Sequence, residues 1–365
     1  MNLSSELEKA YTADKLSARE AQRKAEWIAF GPAVFQASRI MIKWGILEML
    51  RNENHGLTLA EITERTGKSP YAIKVLVEAS LCIGTVALAP DKEHFVLTKT
   101  GWCLLTDELT RVNMSFNHDV NYEGWFRLEE SLDEGRPVGL EHFGSWHTVY
   151  EGLSSLPPQV QQSWFGFDHF YSDNSFQQAL ETVFSQKVDN LLDVGGNTGR
   201  WALQCVGHDS HVHVTIMDLP QQIRLMEEFV KDKPGHDRIS GYGINLLDKN
   251  APFPTDKHYD IIWMSQFLDC FGEEEAESIL SRAAAVMDSN TRICIMETFW
   301  DRQKYELAAF CLTMTSLYFT AIANGTSKMY HSDDMARVAN KAGLKVERIV
   351  DNLGYGHSIM VCSKQ

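Results

Sequence analysis

A glycine-rich loop near the middle of the chain constrains the possible folds more than any other feature. It follows directly on the apolar run 190–194 and reads Asp193-Val194-Gly195-Gly196-Asn197-Thr198-Gly199. Glycines at such a place let the backbone turn from a strand into a helix N-terminus and approach a ligand closely. The loop therefore predicts an α/β domain in which a buried strand leads into a binding site.

Alternating apolar and helical stretches follow the loop. Short apolar runs cover residues 212–218, 259–264 and 292–297, and residues 273–287 read as a helix. Such alternation is typical of a parallel sheet covered on both faces. Two late runs, 345–350 and 358–362, are expected to close the sheet in antiparallel orientation.

A second acid suggests which ligand the loop binds. Asp218 ends the second predicted strand, 25 residues after Asp193, where a carboxylate accepts hydrogen bonds from ribose hydroxyls. The loop does not read G-x-G-x-x-G, because Asn197 takes the second glycine position, and this disfavours a dinucleotide and a dehydrogenase. An acid just before the loop suits a cofactor with an ammonium group. S-adenosylmethionine combines that group with a ribose and an adenine.

The first part of the chain predicts a different domain. Thr58 and Glu61 form a capping box, and Ser69-Pro70 begins a second helix after the stop at Gly67. A predicted hairpin follows at 86–98, so this part reads as a winged helix. We therefore expect a winged-helix domain at 1–110, an aromatic-rich helical linker and pocket wall at 111–185, and a Rossmann-like cofactor domain at 186–365.

Composition narrows the class of protein further. The 365 residues carry a net charge of −15, and residues 1–100 are balanced at 13 Lys+Arg against 12 Asp+Glu. This disfavours nucleic-acid binding, the rival function that a winged helix suggests. The polar N-terminus and the absence of a long apolar run predict a cytoplasmic protein without a membrane span. The seven dispersed cysteines contain no CxxC pair, and we expect no metal.

Taken together, the motifs resemble the S-adenosylmethionine-dependent small-molecule O-methyltransferases, such as the caffeate and hydroxyindole enzymes. Residues 193–199 resemble that family's DVGGGTG, residues 217–220 its xDLP, and residues 167–175 a helix that lies over the cofactor. The resemblance runs from about residue 30 to the C-terminus. It implies a homodimer with a winged-helix dimerisation domain, a class I methyltransferase domain, and methyl transfer to a hydroxyl of a small aromatic or polyketide-like acceptor.

The resemblance also implies site residues. Those expected to bind S-adenosylmethionine are Tyr171, Ser172, Asp193, Gly195, Gly196, Asn197, Gly199, Asp218, Leu219, Asn245, Leu246, Met264 and Ser265. Those expected to line the acceptor pocket are Trp146, Phe167, Phe310 and Met314.

The chain departs from the family at the catalytic position. Asp269 stands where the family has its general-base histidine, Glu297 matches an acid that orients that base, and Met329 replaces a third acid. Three alternatives follow: Asp269 and Glu297 share a proton and act as the base, proximity alone drives the transfer, or the chain keeps the fold and no longer methylates. Asp269 and Glu297 are the catalytic candidates.

Overall fold

A computed structural model describes residues 2–365, except for the side chain of Ser172, which lies outside the described part. The chain divides into two compact units. The smaller unit spans Asp14–His118, and the larger combines the N-terminal residues up to Ala13 with Asp119–Gln365. The expected boundary near residue 110 and the separate linker 111–185 stay predictions, and most of that linker lies in the larger unit.

The α-helices are α1 (Ser5–Tyr11), α2 (Ala18–Ala29), α3 (Gly31–Lys43), α4 (Ile46–Arg51), α5 (Leu59–Thr66), α6 (Pro70–Ile83), α7 (Lys99–Thr106), α8 (Glu108–Phe116), α9 (Leu128–Glu134), α10 (Val149–Gly152), α11 (Pro158–Asp173), α12 (Phe176–Val183), α13 (Arg200–His208), α14 (Pro220–Val230), α15 (Glu273–Ala285), α16 (Glu306–Tyr318) and α17 (Ser332–Lys341). Shorter 3-10 or π-helical turns lie at Asn117–Asn121, Gly124–Arg127, Val138–His142, Leu153–Ser155, His236–Arg238, Leu268–Cys270, Trp300–Arg302 and Phe319–Ala323. The strands are β1 (Val86–Leu88), β2 (Phe95–Leu97), β3 (Asn190–Val194), β4 (His213–Asp218), β5 (Ile239–Gly243), β6 (Ile261–Ser265), β7 (Arg292–Glu297), β8 (Leu344–Leu353) and β9 (His357–Lys364).

The smaller unit has the helix signals that the sequence predicts. At the start of α5 the Thr58 hydroxyl accepts from the Glu61 backbone N–H at 3.3 Å, and the Glu61 carboxylate accepts from the Thr58 N–H at 2.8 Å. Gly67 ends α5 in the left-handed conformation, and Ser69 caps α6. β1 and β2 then pair antiparallel. Helix, helix and hairpin thus follow one another as expected, while the winged-helix description itself stays an interpretation.

The larger unit is built on a mixed sheet. In the described part of the chain, seven strands form it in the order β5-β4-β3-β6-β7-β9-β8. β3 to β7 pair parallel with their neighbours, whereas β9 runs antiparallel to β7 and to β8. This confirms the parallel sheet and its antiparallel closure. The edge strand β5 was missed, because its sequence ISGYG has two glycines and few of the apolar residues that favour strands.

Side chains alternate between two cores along β3. Leu192 and Val194 pack in the core on one face of the sheet, and Leu191 packs in the core on the other. On that second side the rings of Trp201 and Trp263 stack at 4.4 Å. Burial of such large side chains, each worth about 2 kcal/mol or more, holds the strand ends in place. The binding loop after β3 therefore starts from a rigid position.

The sequence predicted that no segment is long and apolar enough to cross a membrane, but one helical stretch is. Glu306–Ala323, which comprises α16 and the π-helical turn after it, meets that criterion by length and composition. Core helices of soluble proteins meet the same criterion. Its residues Leu312, Tyr318 and Ile322 are buried in the larger unit.

Candidate functional site

The carboxyl ends of β3 and β4 meet at the glycine loop. Val194 pairs with Met217 in the parallel ladder, and the Gly195 N–H donates to the Met217 carbonyl at 2.8 Å. This register brings the loop beside Asp218, whose two carboxylate oxygens accept from the backbone N–H groups of Asn197 at 2.9 Å and Leu219 at 2.7 Å. The structure therefore places the two acids that the sequence singled out at one edge of the sheet.

Asn197 explains why the loop tolerates a residue other than glycine. Its φ is +49°, in the left-handed region that asparagine adopts more readily than most side chains. The Asn197 side-chain oxygen accepts from the Gln222 amide at 2.6 Å. Asn197 thus adopts the left-handed conformation that the turn requires, binds α14 through its side chain, and donates its backbone N–H to Asp218.

Gly196 permits a close approach between the loop and β3. A Cβ atom at Gly196 would lie 2.5 Å from Asp193 Oδ2 and 2.9 Å from Ile216 Cγ2. No real side chain fits there unless the Asp193 carboxyl moves. The absence of a side chain at Gly196 is therefore a requirement of the loop itself.

We expect Gly196→Ala to weaken S-adenosylhomocysteine binding by about 10-fold or more, because displacing Asp193 costs at least about one charge-assisted hydrogen bond. Isothermal titration calorimetry measures the change. Gly207→Ala is the matched control, since a Cβ on that α13 residue meets nothing within 4 Å. The control is expected to bind normally and to unfold at the same or a slightly higher temperature. Normal binding by Gly196→Ala would contradict the proposed geometry of the loop.

Asp193 carries the strongest sign of a missing partner. Its side chain is 2 % exposed, and Oδ2 has no hydrogen-bond partner within residues 2–365. Burial and the nearby charge of Asp218 raise the pKa of Asp193 to about 8. A buried carboxyl of this kind fits a ligand with an ammonium group, which supplies both the charge and the donor that the protein lacks.

This environment predicts a pH dependence of cofactor binding. Below about pH 8 the free protein keeps a proton on Asp193, whereas an ammonium group favours the ionised carboxylate, so binding expels that proton. Affinity for S-adenosylhomocysteine is therefore expected to rise by up to about 10-fold per pH unit between about pH 5.5 and 7.5. Calorimetry in buffers of different ionisation enthalpy counts the protons released. Asp193→Asn is expected to abolish the slope, and a slope retained in that variant refutes the role.

Three further chain segments approach the loop. The Ile244 N–H donates to the Asp218 carbonyl at 2.8 Å, which brings exposed Asn245 and buried Leu246 to the sheet edge. Met264 and Ser265 end β6, the other neighbour of β3 in the sheet. Leu219 precedes α14 directly after Asp218. These residues therefore lie on segments next to the loop, with Met264 fully buried in the core, and their contact with the cofactor stays a prediction.

The helix α11 carries the remaining predicted cofactor residues. Tyr171 is buried, and its ring lies 5.0 Å from that of Phe167 and 5.6 Å from that of Phe170. The prediction for Ser172 concerns a side chain outside the described residues. Phe170 stacks in turn on Tyr355 from the β8–β9 turn at 4.8 Å. The aromatic packing holds α11 against the C-terminal hairpin.

The two catalytic candidates are both buried. Asp269 lies in the short turn after β6 and is 5 % exposed, and Glu297 ends β7 and is 2 % exposed. Glu297 Oε1 accepts from the backbone N–H groups of Phe267 at 3.1 Å and Leu268 at 2.9 Å. Glu297 therefore holds the turn that carries Asp269, and its role in orienting a base stays a prediction.

Burial changes the acidity of both carboxyls. The pKa of Asp269 is raised to about 7, mainly by burial and in addition by the charge of Asp168. Burial and the charge of Asp269 raise the pKa of Glu297 well above its usual range. At neutral pH the pair therefore keeps at least one proton, and Asp269 becomes a far better proton acceptor than a solvated aspartate.

Sequence reasoning missed part of this site. Asp168 from α11 acts through its charge on Asp269, and the charges of Cys270 and Asp269 raise the pKa of Tyr150 from α10 and of Tyr318 from α16. The Trp164 indole N–H donates to the Tyr318 hydroxyl at 2.7 Å. These residues are far apart along the chain, and no motif joins them; only the position of Asp168 and Trp164 on one face of α11, four residues apart, was visible in the sequence.

Met329 replaces the third acid without leaving a gap. Its side chain is buried, and its sulfur accepts from the Thr298 hydroxyl at 3.3 Å, next to Glu297. The departure from the family thus removes one carboxylate from the surroundings of Glu297.

The four predicted pocket residues do not form one cluster. Trp146 packs on its own loop, where a Cβ on Gly144 or Gly152 would meet its ring at 2.6 Å or 2.4 Å. Phe167 is half-buried beside Tyr171. Phe310 and Met314 on α16 are 54 % and 43 % exposed. The role of these four residues in the pocket stays a prediction. Within residues 2–365 no group of three His, Cys, Asp or Glu is placed to hold a metal ion.

Comparison with known families matches both parts of the chain. Residues 22–95 match the Dimerisation2-like domain, and residues 169–345 match the O-methyltransferase domain. Among curated proteins, the chain is 23 % identical to the bacteriochlorophyllide d C-20 methyltransferase of Chlorobaculum tepidum over 45 % of this chain and 48 % of that one. It is 23 % identical to cephaeline 6'-O-methyltransferase of Carapichea ipecacuanha over 74 % of this chain and 75 % of that one. The first of these alignments thus spans about half of the relative.

Solved structures resemble the chain over nearly its whole length. The mitomycin 7-O-methyltransferase has a TM-score of 0.70 at 16 % identity, covering 94 % of this chain and 98 % of that one. An O-methyltransferase from neocarzinostatin biosynthesis, solved with S-adenosylmethionine and a naphthoic acid, has a TM-score of 0.63 at 19 % identity, covering 91 % of this chain and 96 % of that one. At these identities the likeness shows the fold, a class I methyltransferase sheet with a helical N-terminal region.

Proposed function

Because the chain belongs to the S-adenosylmethionine-dependent small-molecule O-methyltransferases, we propose that it transfers a methyl group from that cofactor to a hydroxyl of a small aromatic or polyketide-like acceptor. The observation that carries the proposal is the unpartnered, buried Asp193 carboxyl beside Asp218 at the glycine loop. Asp193 suits the ammonium group of the cofactor, and Asp218 suits its ribose hydroxyls. Asn245 and Leu246 after β5, and Met264 and Ser265 at the end of β6, are then assigned to the rest of the cofactor, the first two of them to its adenine.

The chain's own residues suit the deprotonation that such a transfer needs. The cofactor, when bound, supplies a methyl group on a cationic sulfur. Asp269 accepts the proton of the acceptor hydroxyl, since burial has brought its pKa to about 7, and Glu297 holds the turn in position through the N–H groups of Phe267 and Leu268. The burial of both carboxyls keeps water from this part of the site, and exclusion of water favours a step in which charge disappears.

The test is methyl transfer by the purified full-length chain. S-adenosylhomocysteine binding is measured first by calorimetry, and incorporation of labelled methyl is then followed across a panel of phenols. Binding together with formation of a methyl ether supports the proposal. Failure to bind S-adenosylhomocysteine, or labelling only of nitrogen or carbon atoms, contradicts it.

We also propose that the chain acts as a homodimer through its smaller unit. The match to the Dimerisation2-like domain supports this. So does α2, which buries none of its residues and leaves Ile28 73 % exposed, with Phe30 just after it 63 % exposed. Two large apolar side chains left exposed so close together in the sequence are typical of a contact with another chain. The cytoplasmic localisation and the absence of nucleic-acid partners stay predictions.

The dimer is tested by mass. Light scattering is expected to give about twice the chain mass of 41.4 kDa. The double variant Ile28→Glu, Phe30→Glu is expected to be monomeric, because it places charges within the patch. Arg23→Gln, an exposed change on the same helix, is the control and is expected to stay dimeric. A dimeric Ile28→Glu, Phe30→Glu variant contradicts this interface.

A further inference from the structure

A glutamine in an unfavourable backbone conformation stands just before the turn that carries Asp269. Gln266 follows β6 with a φ of +44°, in the left-handed region that few side chains other than asparagine adopt readily. Such a conformation persists only where the surrounding structure enforces it, and residues held in this way cluster at functional sites. The conformation of Gln266 therefore requires contacts that hold it.

A buried histidine supplies one of these contacts. His357 begins β9 and is 0 % exposed, and its ring Nε2 lies 3.1 Å from Gln266 Oε1. The backbone N–H of Gln266 donates to the Met296 carbonyl at 2.9 Å. Gln266 is thus held through its backbone by β7 and through its side chain by β9, although His357 is 91 residues away along the chain.

His357 is suited to this contact because it stays uncharged. Burial lowers the pKa of His357 to about 3. With its proton on Nε2 the ring donates to Gln266 Oε1, and Nδ1 has no hydrogen-bond partner in the part of the chain that the structure describes. A second proton on Nδ1 would place an unpaired charged donor in the core. The hydrogen bond to Gln266 is therefore kept at neutral pH.

The residue after Gln266 contacts both halves of the candidate site. The Phe267 ring fills the space beside Gly195 of the glycine loop, where a Cβ atom would lie 2.2 Å from its Cδ2. The backbone N–H of Phe267 donates to Glu297 Oε1 at 3.1 Å. The conformation of Gln266 therefore sets where the turn begins, and with it the position of Asp269.

We propose that His357 is a positioning residue for methyl transfer: by holding Gln266 in the left-handed conformation, it fixes the turn that presents Asp269 to the acceptor hydroxyl. The inference rests on the proposed function and adds to it a residue that touches neither cofactor nor acceptor. Without the contact, Gln266 relaxes to a negative φ and Asp269 is displaced. A displacement of about 1 Å at a reacting group lowers the rate by about 100-fold. The glycine loop is held separately by Met217 and Asp218.

The test begins with His357→Leu and His357→Gln in the full chain, with a phenol that the wild type methylates. His357→Leu is expected to lower the single-turnover rate by about 10-fold or more and to change the dissociation constant of S-adenosylhomocysteine by about 3-fold or less. His357→Gln keeps a side-chain N–H donor and is expected to stay within about 3-fold of the wild-type rate. His213→Gln, which changes an exposed histidine at the start of β4, is the control and is expected to alter neither quantity.

Gln266→Gly separates positioning from packing, because glycine adopts the left-handed conformation without a contact. If His357 acts through Gln266, adding His357→Leu to the Gln266→Gly protein is expected to slow transfer by no more than about 3-fold. A similar loss in both backgrounds indicates a packing defect and overturns the inference. If His357→Leu does not fold, Gln266→Ala is compared with Gln266→Gly. The alanine variant is expected to be slower by about 10-fold or more, and equal rates overturn the inference.

The pH profile gives an independent readout. A neutral His357 takes no part in proton transfer, so His357→Leu is expected to keep the fall in rate as pH drops through about 7, the pKa of Asp269. Loss of that fall would identify His357 as the titrating group and overturn the inference, as would an unchanged rate in His357→Leu. If the wild type binds S-adenosylhomocysteine and methylates no phenol, the proposed function and this inference fail together.

Discussion

Replacing Asp269 with Asn is expected to lower kcat for methyl transfer by about 100-fold or more, the usual contribution of a general base. The side chain keeps its shape, so the loss reports on proton transfer and not on packing. Because a base works only when deprotonated, the wild-type rate is expected to fall as pH drops through about 7, the pKa of the buried Asp269 carboxyl. The variant is expected to lose that dependence. Single-turnover kinetics between pH 5.5 and 8.5 measures both effects.

The control for this variant is Glu274→Gln, which removes a charge from an exposed position at the start of α15, close in sequence to Asp269. It is expected to leave kcat and its pH profile unchanged. If Asp269→Asn keeps full activity at every pH, Asp269 is not the base, and the transfer proceeds by proximity alone. The role of Asp269 as base is supported if Asp269→Asn loses the fall in rate at low pH and still binds the cofactor with wild-type affinity.

Replacing Asp218 with Ala is expected to weaken S-adenosylhomocysteine binding by about 10-fold or more, since charge-assisted hydrogen bonds contribute about 1.5–3 kcal/mol. The loss has two physical sources. The ribose hydroxyls lose their acceptor, and the N–H groups of Asn197 and Leu219 lose the oxygens that orient the loop. Calorimetry at pH 7.5 measures the dissociation constant.

Asp218→Asn separates these two sources, because its one remaining oxygen still accepts from a loop N–H. Asp218→Asn is expected to bind S-adenosylhomocysteine more weakly than the wild type does and more tightly than Asp218→Ala does. Asp237→Asn, in the turn before β5, is the control. An unchanged dissociation constant in Asp218→Ala rules out a role for this carboxylate in cofactor binding.

Much of the fold and of the expected cofactor site could be predicted, because the sequence patterns that indicate them lie within short segments of the chain. The loop 193–199 sits between a buried strand and a helix that are both adjacent to it in the sequence. Its glycines and Asn197 have the positive φ values or close contacts that such a turn requires. The edge strand β5 has no such local signal, since its glycines favour a turn and its pairing with β4 provides the structure.

The surroundings of the catalytic candidates Asp269 and Glu297 could not be predicted, because they are formed by residues that are distant along the chain. By itself, the sequence determined the order of the strands and helices apart from β5, the glycine loop with Asp193 and Asp218, and the replacement of a histidine by Asp269, because these are properties of neighbouring residues. Only the tertiary structure decided that the charge of Asp168 acts on the buried Asp269, and that Phe310 and Met314 are exposed. The physical reason is that burial and the field of other charges, which set the acidity of a carboxyl, arise from elements brought together by folding.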